Sequence, residues 1–467
     1  MGWSAIDVLF RFGLGFGVTV VLARILVPED FGAIAMLGIF TGIASLFIDG
    51  GFSQALIQNQ STTHEEESSV FLFNLLMGVL ISIGLCLLAP VIAKFYGMPI
   101  LRSLTFAMAA NLALNALGSV HNALLVKKLG FSVLAKVGAI ATSIGGVFGI
   151  SAAVLNMGVW SLVIQIWVTS VVTVALLWLW HPWRPALVFQ FSAIRRHFGF
   201  SGYLVISNLM YRIYGNLFAM VIGKVHSAQD AGFYGQANKL QQVASMVLTT
   251  VVSRVAFPMF SEADGDKERL RRGLAKALGA TLFVSVPVAL SLSLFAEPVV
   301  LILFGEKWRQ AIPVVEVLGL SAMFMPMQML NISVLKAMGR ADLNFRVMVI
   351  KFVTGLALLL LAAPLGIVAI AWAFVLSNLI NIFANTYYTN VLLAFGPLRQ
   401  AREVGGYFLA ALPLILVVIV FREIIGLRNW GLILTALPLG LLSYLIACRI
   451  ARMAALDLVW QLIRRRK

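Results

Sequence analysis

Five charged residues stand where the neighbouring sequence carries almost no charge: Arg11, Asp49, Arg212, Arg254 and Lys351. A charge held in hydrocarbon costs at least ~2.5–3.5 kcal/mol on insertion scales, so each needs a partner, a route to the headgroups or a water-filled cavity. Four of the five are cations, a sign that suits an anionic ligand. Arginine adds a planar fork that can grip two phosphate oxygens at once. Arg212 is the strongest candidate, because Asn208, Tyr211, Tyr214 and Asn216 flank it. Aromatic faces and amide groups are what a sugar needs for stacking and for hydroxyl hydrogen bonds. Arg11 lies beside Gly13, Gly15 and Gly17, residues that let a helix bend or pack closely. A second reading competes for Arg11 and Arg254, and is preferred for Lys351: the long side chain snorkels to the headgroups. Asp49, next to Gly50 and Gly51, is read as a structural partner for a cation such as Arg11 ahead of a proton-linked site.

Composition and hydropathy define the elements that must carry these residues. Hydrophobic residues make up 61% of the 467 positions, charged residues 12%, and the mean hydropathy is +0.96. Soluble domains carry about 25% charged residues, so this chain cannot cover a water-facing surface. Apolar runs long enough to cross a roughly 30 Å hydrocarbon core recur from end to end. They predict spans near 4–26, 31–56, 69–93, 101–123, 132–155, 158–180, 200–223, 231–259, 275–303, 311–335, 345–363, 366–392, 404–421 and 430–448. The expected fold is therefore an all-α polytopic membrane protein of about fourteen transmembrane helices. The first run has no cleavable small-residue site and reads as a span. Cys86 and Cys448 lie far apart in apolar stretches and predict no disulfide.

The net charge of +16 is spread over short loops, which excludes a nucleic-acid surface. With the N-terminus inside, the inward loops and tail hold 22 Lys and Arg residues. The outward loops hold nine: Arg24, Lys94, Arg102, Lys224, Lys239, Lys307, Arg309, Arg422 and Arg428. This excess predicts that both termini are cytoplasmic. The inward loop Gln58–Ser68 is acidic through Glu65, Glu66 and Glu67, which weigh little in the rule. Lys127, Lys128 and the Arg269–Lys276 cluster read as inward topology charges, with a headgroup-gathering role as the alternative. Trp178, Trp180 and Trp183 read as an interface belt. His64, His121, His181, His197 and His226 show no metal-ligand spacing and no nucleophile partner. No catalytic residue, metal or cofactor is expected.

The chain also repeats itself. Leu22-Ala-Arg-Ile-Leu-Val-Pro-Glu-Asp-Phe-Gly32 matches Ile222-Gly-Lys-Val-His-Ser-Ala-Gln-Asp-Ala-Gly232 at an offset of 200. Tyr96-Gly97 matches Phe304-Gly305 at 208, Leu125–Gly130 matches Val334–Gly339 at 209, and Gly158–Val163 matches Gly366–Ala371 at 208. Six spans separate matching positions, so the halves share one orientation in the membrane. Parallel repeats of this kind build two lobes with a substrate site reached from alternate sides. The expected boundaries are an N-terminal six-helix lobe over 1–183, a cytoplasmic linker over 184–199, and a C-terminal six-helix lobe over 200–394. An extra two-helix hairpin with a basic tail follows over 395–467.

The motifs resemble a known family. Val21–Met36, with Arg24, Pro28, Asp30 and Gly32, is similar to the opening signature of polysaccharide exporters, and Asp49–Gln58 to the end of their second span. Ala231-Gly-Phe-Tyr-Gly235, Phe257-Pro258, Leu303–Trp308 and Lys336–Asp342 continue the match in order. The family is the polysaccharide transporter, or O-antigen and colanic-acid flippase, branch of the multidrug/oligosaccharidyl-lipid/polysaccharide exporter superfamily. The resemblance implies two six-helix lobes in a V, in the bacterial cytoplasmic (inner) membrane. It implies flipping of an undecaprenyl-diphosphate-linked oligosaccharide to the outer leaflet for surface polysaccharide biosynthesis, with membrane lipids, a polysaccharide polymerase and export machinery as partners. Many relatives carry an Asp before the Ile-Gly-Lys of the seventh span, where this chain has Phe218. The competing function is an ion-coupled drug or metabolite antiporter of the same superfamily. A cationic cargo would ask for acidic spans, and here the charge expected within the spans is mostly positive, with Asp49 the acid singled out.

Overall fold

The computed structural model describes residues 2–49, 51–261, 266–453 and 455–456, with side chains for all of these except 2–12, 192–208, 247–259, 261 and 341. The described residues form helices and short turns, with no strand. In chain order the helices are α1 (Gly2–Ile25), α2 (Pro28–Asp49), α3 (Phe52–Gln58), α4 (His64–Tyr96), α5 (Ile100–Lys127), α6 (Phe131–Val154), α7 (Trp160–Trp180), α8 (Phe191–Val225) and α9 (Ala228–Ser261). They continue with α10 (Lys267–Leu294), α11 (Ala296–Leu303), α12 (Ile312–Ser321), α13 (Phe324–Ala337), α14 (Ala341–Ala362), α15 (Ile367–Leu393), α16 (Pro397–Ala410), α17 (Leu412–Ile419) and α18 (Asn429–Ile450). Among the described residues, eleven helical stretches are long and apolar enough to cross a membrane. With α1, α8 and α9, of 24, 35 and 34 residues, they are compatible with fourteen spans.

Local chemistry explains where helices stop. Thr63 opens α4 with a capping box, its hydroxyl accepting from the Glu66 N–H while the Glu66 carboxylate accepts from the Thr63 N–H. Asp266 accepts from the N–H groups of Glu268 and Arg269 at the start of α10. These bonds favour the ionised carboxylate and hold its pKa below the usual value. The repeat is visible in the backbone: Gly97 and Gly305, and Gly158 and Gly366, are matched glycines that all take positive φ, a region open to glycine at little cost.

The chain divides into two compact units, Met1–Gly232 and Phe233–Lys467. In the first, α4 packs on α5, α6 on α7, α1 on α6, and α8 on α2. Phe52, Leu56, Val70, Phe71, Val120 and Leu124 form a core there, covered by Trp178 and Trp183. In the second, α10, α12 and α13 pack with α15, while α16, α17 and α18 close over α10. Its core runs from Leu270 and Leu274 through Met327, Leu330 and Val404 to Tyr444 and Cys448. Both cysteines are free thiols.

Candidate functional site

The helix α8 carries four described candidates, and its packing sorts them. Tyr211 is 61% exposed and Arg212 is exposed, as is Gly215. Spaced i, i+1 and i+4, the three share one open stripe of the helix. Tyr214 faces the other way, only 7% exposed, with its ring edge-on to Phe218 at 5.7 Å. Phe218 itself is 2% exposed and is thus core. Asn216 sits on α2: a Cβ added to Gly38 would lie 2.8 Å from its amide oxygen, and one on Gly42 3.4 Å from its amide nitrogen. That nitrogen donates to the Arg212 carbonyl at 3.0 Å. The structure therefore brings Tyr211 and Arg212 together and gives Tyr214 and Asn216 to packing. Arg11, Arg254 and Asn208 lie outside the residues whose side chains are described.

Asp49 stands at the break between α2 and α3, where Gly51 takes φ 77°. Its carboxylate accepts from the Ser53 hydroxyl, and from the Ser53 N–H at 3.4 Å. An oxygen placed so satisfies a donor of the first turn of α3. Lys351 is half-buried in the middle of α14.

One cation was counted on the wrong side of the boundary. Lys239, assigned to the outward loops, lies inside α9, eleven residues from its start. At 1.5 Å per residue this puts it roughly 16 Å along the helix axis. Its side chain is exposed, Gln242 on the next turn is exposed, and Gln236 on the previous turn is buried. The expected span 231–259 already encloses it, so the loop tally and the span list disagree at this residue. The repeat favours the span, since Gly232 aligns with Gly32, near the start of a span.

Beyond the candidates, each unit contains buried polar groups. In the first, His121 is 0% exposed, its ring 5.9 Å from His181, 4.8 Å from Trp178 and 5.1 Å from Trp183. Arg184 donates to the His181 and Trp183 carbonyls and lies over the Trp178 ring at 5.6 Å. His181, just past the end of α7, has its pKa lowered by burial and then by the positive charge of Lys128. The segment after it is tied to α4: Ala186 and Gln190 N–H groups donate to the Ser68 and Ser69 hydroxyls at 3.0 and 2.9 Å. Lys127 pairs with Glu67 at 3.8 Å and donates to Thr62, so one of the three acids of this loop has a cation beside it. In the second unit, Gln400 and Asn331 exchange amide hydrogen bonds at 2.9 and 3.1 Å, and Thr389 donates to Asn331 at 2.8 Å. Gln328 donates to Asn378 at 3.0 Å. No group of three or more metal-ligating side chains occurs among the described residues.

This fold, with its run of apolar helices and cations held inside them, defines a polytopic α-helical membrane protein. The chain belongs to the polysaccharide biosynthesis protein family, whose model matches residues 21–313. It is 30% identical over 345 residues to the succinoglycan biosynthesis transport protein ExoT of Rhizobium meliloti (strain 1021), covering 74% of this chain and 70% of that one. It is 26% identical over 386 residues to the lipopolysaccharide biosynthesis protein WzxC of Escherichia coli (strain K12), covering 81% and 78%. Among solved structures, the inward closed conformation of the lipid II flippase MurJ superposes with a TM-score of 0.80 at 14% identity, covering 96% of this chain and 98% of that one. An inward-facing multidrug resistance MATE family transporter of the MOP superfamily gives 0.67 at 14%, covering 84% and 98%. At such identities the structural likeness concerns the fold.

Proposed function

We propose that this protein is a flippase that moves a polyprenyl-diphosphate-linked oligosaccharide repeat unit across the bacterial cytoplasmic membrane by alternating access. The observation that carries the reading is the 30% match to a succinoglycan transport protein over 74% of the chain. The charge pattern supports it: the cations carried within spans suit a diphosphate, and they outnumber the acids there, Asp49, Glu297 and Glu316 among them. Arg212 and Tyr211, exposed on one stripe of α8, are the proposed contacts for phosphate and sugar. A charge at this depth is tolerated where it faces water, and is costly where it faces lipid. Arg11, Arg254, Asn208 and Lys351 remain proposed members of the set, and Lys239 joins it. Tyr214 and Asn216 support α8, and Asp49 holds the break after α2. The diphosphate headgroup enters from the cytoplasm while the polyprenyl tail stays in lipid, and the conformational change presents it to the far side. Both termini lie in the cytoplasm, and a polysaccharide polymerase consumes the product outside.

The test is accumulation of the lipid-linked oligosaccharide on the inner leaflet of cells lacking the protein. Wild type should clear the intermediate, and Arg212→Ala at equal expression should not. If no such intermediate accumulates and a small cationic solute is retained instead, an ion-coupled antiporter replaces the flippase.

A further inference from the structure

Two glycines that the internal repeat places in register meet each other. Gly32 is the fifth residue of α2 and Gly232 the fifth of α9. A Cβ at Gly32 would overlap the Ala228 carbonyl oxygen and lie 2.6 Å from its carbon and 3.0 Å from the Gly232 nitrogen. A Cβ at Gly232 would overlap the Pro28 carbonyl oxygen and lie 2.8 Å from its carbon and 3.3 Å from the Gly32 nitrogen. Pro28 and Ala228 are themselves a repeat pair at the same offset of 200. Residue 32 meets 228 and residue 232 meets 28, which is the reciprocity of a twofold contact. The obstruction is backbone on both sides, so no rotamer change relieves it.

The two junctions are held separately. The Val27 N–H donates to the Asp30 carboxylate at 3.2 Å. At the matching place the Ser227 hydroxyl donates to Asp230 at 2.7 Å, and the Asp230 N–H to Ser227 at 3.0 Å. Each junction is thus pinned by its own aspartate. What joins them is backbone packing, with glycine Cα–H groups aimed at carbonyl oxygens, a weak contact that recurs at close helix crossings. Such a contact is tight when formed, and it parts without breaking the bonds that pin either junction.

We propose that the Gly32–Gly232 crossing is the outward seal of the transport cycle, closed here and parted when the carrier presents its cargo outside. This rests on the flippase reading and its topology, which puts both junctions at the outward end. Glu29 and Gln229, an exposed repeat pair three residues before the glycines, supply the test. In the full-length chain carrying Cys86→Ser and Cys448→Ala, Glu29→Cys and Gln229→Cys are bridged in intact cells by a short, reducible, membrane-impermeant bis-thiol reagent. Bridging should lower flipping at least about tenfold, equivalent to about 1.4 kcal/mol, and reduction should restore it. Separately, Gly32→Ala and Gly232→Ala should speed labelling of the residue 29 thiol from outside by an impermeant maleimide. The bridged protein keeps both glycines, so a folding defect in the alanine variants leaves that arm intact. Bridged protein that flips at the unbridged rate overturns the seal, as do folded alanine variants with unchanged labelling. Labelling does not depend on cargo: if it shifts in the alanine variants while wild type clears no lipid-linked oligosaccharide, the seal stands and the flippase reading falls.

Discussion

An ammonium or guanidinium within a membrane helix has only two tolerable surroundings, an anion or water, and the choice can be read from what its removal does. Lys239 tests this well, because its exposed side chain lies well inside α9. If it faces an aqueous lumen, Lys239→Leu folds with near wild-type thermal stability but loses flipping, and Lys239→Arg keeps it. If it faces lipid, Leu removes a charge that costs ~2.5–3.5 kcal/mol there, so melting rises and flipping is unchanged. Unfolding in detergent and clearance of the lipid-linked intermediate separate the two cases. The amide pair of the second unit answers to a different rule. Gln400 is 1% exposed and exchanges two hydrogen bonds with Asn331. Gln400→Leu removes two of the hydrogen bonds of the Asn331 amide, which keeps those to the Met327 carbonyl and the Thr389 hydroxyl, and should cost about 1–3 kcal/mol. The double change Asn331→Leu/Gln400→Leu should cost less than the sum of the two single changes, because each single change breaks the same pair of hydrogen bonds. Additive losses on thermal unfolding would show the pair to be uncoupled.

Among the elements, the segment from the end of α7 to the start of α8 carries a pH dependence with a defined sign. The folded pKa of His181 is lowered, chiefly by burial, so the fold favours the neutral ring. Above about pH 6.5, the ordinary histidine value, that preference costs nothing; as pH falls below it the unfolded chain takes the proton first. Stability of the first unit should therefore decline on acidification, by at most about 1.4 kcal/mol per pH unit from this group. His181→Gln should flatten that slope in tryptophan-monitored unfolding, for which Trp178 and Trp183 are local probes; an unchanged slope would remove His181 from the account. These elements also show what sequence could and could not give. Span number, the repeat and the cations within spans are written in hydropathy and spacing. The faces are not: when core and lipid are both apolar, the hydrophobic pattern does not say which side of a helix is buried. Tyr214 and Asn216 read as ligands beside Arg212 for that reason, while the structure turns one toward Phe218 and seats the other against Gly38. Lys239 is the opposite case: the expected span 231–259 encloses it, so its place inside a helix was legible in the sequence.

For the molecule as a whole, orientation decides what every local argument means. The 22 inward against nine outward Lys and Arg residues assumed Lys239 to be outside; moving it into α9 widens the asymmetry rather than eroding it. The acidic stretch at the start of α4 does not oppose the rule, since Glu67 is paired with Lys127 and Glu66 is spent on a helix cap. Both termini are therefore expected in the cytoplasm. A reporter that is active only in the cytoplasm should work when fused after Lys467. One that is active only outside should work when inserted at Asn156, where the chain turns with positive φ between α6 and α7. The reverse result would turn the molecule over: the Gly32–Gly232 crossing would become an inward seal, and a carrier closed at that end would be waiting for cargo from the other side of the membrane. Orientation is thus the one measurement that fixes the direction of transport for the residue and element arguments together.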